Sequence, residues 1–117
     1  MSQEDHDRRI DYVEFLAVDI GASKRFYSAL FGWEFTDYGP EYTSFSDGRL
    51  SGGFTKVSSV AAGGPLIVVY ATELDRVKEA VAKQGGVIVK DTFEFPGGKR
   101  FHFHDPNGNE LAVWSDK

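Results

Sequence analysis

The chain has 117 residues, room for one domain with a proper core and too few for two large ones. It has no cysteine, which excludes disulfides, thiolate catalysis and zinc ribbons and fits a reducing, cytoplasmic setting. The net charge is −5 with no clustered Lys and Arg, which argues against a nucleic-acid partner; no apolar run approaches the roughly 20 residues that span a bilayer.

In chain order, MSQEDHDRR (1–9) reads as a polar N-terminal tail unlike a signal peptide, with His6 a solvated side chain rather than a ligand. DYVEFLAV (11–18), rich in aromatic and β-branched residues, predicts a strand. ASKRFYSALFG predicts a helix, with Phe26 and Leu30 one turn apart and Gly32 as its left-handed stop. WEFTDY, EYTSFS and RLSGGFTKV predict three more strands, the last two joined by a tight turn at Asp47-Gly48. SSVAAGGP (58–65) has small residues and no periodicity, the mark of a linker.

The pattern then restarts. PLIVVYA is a strand, and Thr72 with Asp75 predicts a capping box for the helix LDRVKEAVAKQ. Its apolar positions Leu74, Val77 and Val81 recur at helical spacing, and Gly85-Gly86 stop it. GVIVKDTFEF, KRFHFH and ELAVW are strands joined by PGG and DPNG turns. Gly97 and Gly98 are not a phosphate loop, since no helix N-terminus follows them. Gly32 and Gly86 lie 86 − 32 = 54 residues apart, and at that shift Phe15 falls on Val69, Asp19 on Glu73, Lys24 on Lys78 and Asp37 on Asp91. Two βαβββ modules in tandem, about 10–57 and 66–115, account for the coincidence.

These residues carry a resemblance. VEFLAVDIGASKRFYSALFGWEF resembles the first-module signature of the vicinal oxygen chelate superfamily, which includes glyoxalase I, bleomycin-resistance proteins and extradiol dioxygenases. GGPLIVVYATELDRVKEAVAKQGG is similar to that family's second-module opening, and FHFHDPNGNELAVW to its close; the likeness covers residues 10–115. The resemblance implies an α+β fold in which each module curls into half a barrel around a cavity, with helices on the convex side. It also implies a homodimer, often with a cavity built from two chains. It does not fix the reaction, because one scaffold here hosts several chemistries.

Alternation sorts the strand faces independently. Val13, Phe15 and Ala17 oppose Tyr12, Glu14, Leu16 and Val18; Ile67, Val69 and Ala71 oppose Leu66, Val68 and Tyr70. Phe101 and Phe103 oppose Arg100, His102 and His104; Leu111 and Val113 oppose Glu110, Ala112 and Trp114. One set is uniformly apolar and belongs beneath helices. The other mixes bulky apolar groups with every ionisable residue of these strands, as a ligand cavity does; a solvated outer face is the alternative.

Metal-binding members of the family place a histidine at the start of each module's first strand and a carboxylate late in each module. Carried onto this chain, three of those positions are Tyr12, Leu66 and Ala112, and the fourth lies in RLSGGFTK, which has no acidic residue. The expectation is therefore no metal and no other cofactor, with a rearranged divalent site of Glu110, His102, His104 and Glu14 as the alternative.

His102 is the leading candidate for chemistry. In the family's ring-cleaving dioxygenases the equivalent place holds an inward-pointing acid/base tyrosine, and an imidazole titrates near neutral pH. A Glu14–His102 acid/base or ligand-orienting couple is expected, against a structural histidine or a salt bridge without chemical role. Arg100, His104, Glu110 and Trp114 complete the candidate ligand-binding set with Tyr12, Leu66, Val68, Tyr70 and Ala112. Trp114 could stack on a flat ligand or fill the core, and Trp33 packs the first helix onto its sheet.

Three readings follow. The first is a metal-independent small-molecule-binding protein with an apolar, aromatic-lined cavity. The second is an enzyme of lyase, isomerase or dioxygenase type using His102 and Glu14 or a rearranged metal. The third is a dimeric interaction module whose cavity is plugged by Tyr12, Leu66, Tyr70 and Trp114.

Overall fold

Alternating burial along β1 (Tyr12–Ala17) sets the frame: Phe15 and Ala17 are buried, while Tyr12, Glu14 and Leu16 are exposed on the other side. The structure is a computed structural model that describes residues 3–61 and 63–117, without the side chains of Gln3 and His6. The reading of His6 as a solvated side chain lies outside what is described.

After β1 comes α1 (Ile20–Phe31), capped by Asp19, whose carboxylate accepts from the Ala22 N–H at 3.1 Å. Gly32 ends it at φ 73, a left-handed conformation that a side chain would strain. β2 (Glu34–Asp37), β3 (Tyr42–Ser46) and β4 (Ser51–Lys56) follow, and the sheet runs β1-β4-β3-β2 with β1 parallel to β4. Asp47 Oδ1 ties the β3–β4 turn by accepting from the N–H groups of Arg49 and Leu50 at 2.8 and 2.6 Å.

The second half repeats this order. β5 (Ile67–Tyr70), α2 (Leu74–Lys83), β6 (Val87–Phe95), β7 (Gly98–His104) and β8 (Glu110–Ser115) form a sheet in the order β5-β8-β7-β6, with β5 parallel to β8. The fold is α+β, two open curved four-stranded sheets with a helix to each, as two tandem βαβββ units require. No helix among the described residues is long and apolar enough to cross a membrane.

The expected capping box of α2 does not form. The helix starts at Leu74, so the N-cap is Glu73, which makes no side-chain cap bond. That start puts Thr72 one residue before the cap and Asp75 at the second helical position, out of register for the reciprocal bonds. Asp75 still lies in the first turn, where the helix dipole favours an acidic group.

The core lies between the sheets and the helices. In the first half Tyr27, Trp33 and Phe45 stack in series, with centroids 4.6 and 4.4 Å apart, so Trp33 fastens the end of α1 to β3 as its sequence context predicts. In the second half Phe101, Phe103, Leu111 and Val113 are fully buried, and Phe26 reaches Phe103 at 6.0 Å across the halves. Both sheets therefore bury the uniformly apolar set of their alternation.

A polar clamp joins the halves at the DPNGN turn. Asp105, buried at 3% exposure, accepts from the Tyr27 hydroxyl at 2.9 Å, the Asn107 and Asn109 N–H groups at 2.9 Å each, and Asn109 Nδ2 at 3.1 Å. Four donors offset the cost of burying that carboxylate. Burial, with the neighbouring Asp105, pushes the Tyr27 phenol well above its ordinary range, so it stays a donor. Asn107 Oδ1 accepts from the N–H groups of Val18 and Asp19 at 2.9 and 2.8 Å, and its Nδ2 donates to Asp19 O and Ser23 Oγ at 2.9 and 2.7 Å. Asn109 Nδ2 also donates to Leu16 O at 2.7 Å. The turn of the second half thus caps the β1–α1 junction of the first.

Asn107→Ala removes four bonds between the halves and should lower the unfolding free energy by about 2–4 kcal/mol. Urea denaturation checks this, and a loss below about 0.5 kcal/mol would show that the clamp adds nothing net.

Candidate functional site

Register places the mixed set of residues in rows across the face turned away from the helices. In the second sheet one row is Tyr70, Trp114, Arg100 and Phe93, and the next is Val68, Ala112, His102 and Lys90. A third joins Glu110, His104 and Val87, with Leu66 just before β5 at its end. Tyr70 and Val68 are uncovered, at 45% and 41% exposure, whereas Ala112 and His102 are buried beneath their neighbours. The open face is apolar at its β5 edge and cationic and aromatic toward β6.

His102, His104 and Glu110 form one cluster. His102 Nδ1 lies 3.0 Å from Glu110 Oε2, and His104 Nε2 lies 3.4 Å from Oε1 of the same carboxylate. The hydrogen bond from His102 holds the Glu110 carboxyl below its ordinary range; His104 adds to this and partial burial opposes it. An ionised carboxylate only accepts, so Nδ1 is the donating nitrogen. His102 Nε2 is then left buried without a partner among the described residues, and the ring packs 5.9 Å from Phe93.

The expected Glu14–His102 couple is replaced by this one. Glu110 sits on β8, whose Ala112 pairs directly with His102, so its carboxylate reaches the imidazole diagonally across one strand spacing. Glu14 belongs to the other sheet and accepts instead from the Tyr42 hydroxyl at 3.1 Å. The Tyr42 hydroxyl also bonds that of Tyr12. Burial and these two bonds push the Tyr42 phenol up. Both rings close over Gly53, where a Cβ would overlap the Tyr42 hydroxyl. Glu14 and Glu110 nonetheless line one hollow of about 250 Å³ at the seam between the sheets, with Leu16 and Ile67.

The first sheet's open face is of different character. Tyr12, Thr36, Tyr42, Ser44, Ser46 and Ser51 line a hollow of about 520 Å³ that also holds Glu34 and contains no Lys or Arg. Hydroxyls and carboxylates dominate one half of the surface, cations and rings the other.

Four groups on this face had no signal that sequence reading could use. Lys90, Phe93 and Phe95 follow register shifts in β6, between Ile88 and Lys90 and again between Lys90 and Phe93, which break simple alternation. Tyr42 joins Glu14 only because β1 and β3 both pair with β4.

At two of the positions that the family resemblance assigns to a metal, donor atoms are lacking. Leu66 and Ala112 carry no donor atom, and Ala112 is fully buried. β4 turns Ser51, Gly53 and Thr55 to the open face, with no carboxylate among them. Such a set does not fit a divalent ion, which needs several N, O or S ligands in a fixed geometry. Among the described residues no group of three or more His, Asp or Glu side chains is arranged to hold one.

The sequence model of the Glyoxalase/Bleomycin resistance protein/Dioxygenase superfamily matches residues 9–113. A solved glyoxalase-related enzyme from Fulvimarina pelagi superposes with a TM-score of 0.79 at 19% identity, covering 92% of this chain and 88% of that one. Lactoylglutathione lyase from Agrobacterium tumefaciens gives 0.74 at 21% identity, with 92% and 93% covered. A fosfomycin resistance protein from Mesorhizobium loti gives 0.76 at 16%, with 93% and 92% covered. At these identities the likeness is one of fold. No curated protein matches the chain.

The lowered Glu110 carboxyl ties stability to pH. A carboxyl lowered in the folded state adds stability above its unfolded pKa, about 4.3, and loses it as pH falls through the folded value. The melting temperature of the wild type should exceed that of Glu110→Gln at pH 7, and the gap should close as pH drops from about 5 to 3. A gap independent of pH would show that the ionised carboxylate is not what His102 and His104 bind.

Proposed function

Since the chain belongs to the Glyoxalase/Bleomycin resistance protein/Dioxygenase superfamily, we propose that it is a small-molecule-binding member that needs no metal to hold its ligand. One observation carries this reading: the open face keeps large apolar side chains uncovered around a few placed polar groups, while the family's metal positions are Tyr12, Leu66 and Ala112. Tyr12, Leu16, Leu66, Val68 and Tyr70 are large side chains left exposed on this face, and a ligand, with a second copy closing over it, would cover them. Trp114, packed edge-on against Tyr70 at 5.2 Å, offers a flat wall for a ring. The homodimer is part of this proposal, drawn from the family resemblance.

A second reading, an enzyme of lyase, isomerase or dioxygenase type, draws on the His102–Glu110 pair. The carboxylate would orient the imidazole, with Glu110 in the part first given to Glu14. Against it stands the burial of His102 Nε2, which a substrate atom would have to approach within hydrogen-bond distance. The plugged-cavity module is disfavoured by the exposure of Tyr12, Leu66 and Tyr70.

Nile red, a flat neutral dye, serves as the probe. Chelator-treated protein should bind it with rising fluorescence, and added Mn²⁺ or Zn²⁺ should leave the affinity within about two-fold. Trp114→Ala should weaken binding about ten-fold, the equivalent of losing one aromatic wall at about 1.4 kcal/mol. Binding that vanishes on chelation and returns with metal would overturn the proposal.

A further inference from the structure

Among the described residues Arg100 is a cation without a counter-ion. It lies half-buried on the open face of β7, and its guanidinium packs over the rings of Phe93 and Phe95, 5.3 and 5.7 Å from their centroids. Among the described residues no carboxylate pairs with it, and its Nε is buried with no acceptor. Lys90, exposed on the neighbouring strand, stands 5.1 Å over the same Phe93 ring and likewise has no acidic partner among the described residues. Two unpaired cations share one aromatic ring in a protein whose net charge is −5.

That placement is costly unless something answers it. The buried Nε–H is a donor unmet, and stacking on phenyl rings returns only part of its lost hydration. The remaining edge of the fork is suited to the two oxygens of a carboxylate, which it binds bidentately. The walls around it are rings: Phe93 and Phe95 beneath, then Trp114, whose ring is 6.2 Å from Phe95, and Tyr70 beyond. Of the carboxylates on the open face, Glu110 is engaged by the two histidines and Glu14 by Tyr42, Glu34 lies on the first sheet, and Asp116, at the Tyr70 end of the row, already accepts from the Tyr70 hydroxyl at 2.6 Å. An anion is therefore drawn to the β6–β7 end and turned away from the first sheet.

We propose that the face formed by Arg100, Lys90, Phe93, Phe95 and Trp114 binds an aromatic carboxylate, its carboxylate on the Arg100 fork with Lys90 beside it and its ring against Trp114. This rests on the ligand-binding reading above and names the ligand class. Lys90, Phe93 and Phe95 thereby become specificity-determining residues.

The test uses 2-naphthoate and its neutral analogue 2-naphthamide as competitors of Nile red on the whole chain. The naphthoate should displace the dye at least ten-fold more effectively, and the preference should shrink as NaCl is raised. Arg100→Gln should cut the preference to two-fold or less, and Lys90→Gln about three-fold. Should Arg100→Gln fail to fold by near-ultraviolet circular dichroism, the exposed Lys90→Gln and the salt series carry the test. Equal displacement by both compounds, or a preference that neither variant nor salt reduces, would overturn this inference and leave the ligand-binding reading intact. Failure of Nile red itself to bind would remove both.

Discussion

The buried carboxylate of Asp105 is the constraint on which the rest of this structure depends. It needs four donors, and one of them, the Tyr27 hydroxyl, comes from the other half of the chain. Meeting that need brings the DPNGN turn against the start of α1, where Asn107 and Asn109 bond backbone N–H and C=O groups at the end of β1 and the helix N-terminus. Asp105 itself is buried, so each donor lost leaves its carboxylate less well compensated in low dielectric. Two sheets that share no strand pairing are held in this way as one curved surface.

The surface so formed is divided in chemistry. Hydroxyls and carboxylates line the first sheet around Tyr12, Tyr42 and Gly53, whereas rings and the cations Arg100 and Lys90 line the second. Repetition of the fold without repetition of the site is what the scaffold permits: each module supplies the same alternation of faces, and the side chains on the outer one are free to diverge. At the positions that the family resemblance assigns to a metal, this chain carries an alanine, a leucine and a tyrosine already hydrogen-bonded to its neighbour.

The fold was legible because its signals are periodic and local. The 54-residue shift, the Gly32 stop, the Asp47 turn and the faces of β1, β5, β7 and β8 all follow from spacing. Pairings of side chains were not. Alternation placed Glu14, His102 and Glu110 on one face but held nothing on which carboxylate would meet the imidazole, since that depends on strand order and on the seam between sheets. The capping box failed over a shift of one residue in the start of α2. The β6 bulges hid Lys90, Phe93 and Phe95, because a strand that slips register no longer reports its faces by parity.

Amide mapping tests most directly whether this open face receives an organic ligand where relatives of the family hold a metal. In ¹H–¹⁵N spectra of the chelator-treated protein, a saturating flat neutral aromatic should shift the amides of Val68, Tyr70, Ala112 and Trp114, and stoichiometric Mn²⁺ should broaden none of those around Tyr12, Leu66 and Ala112. Shifts confined to the helix side, or selective broadening of the amides at those three positions, would contradict it.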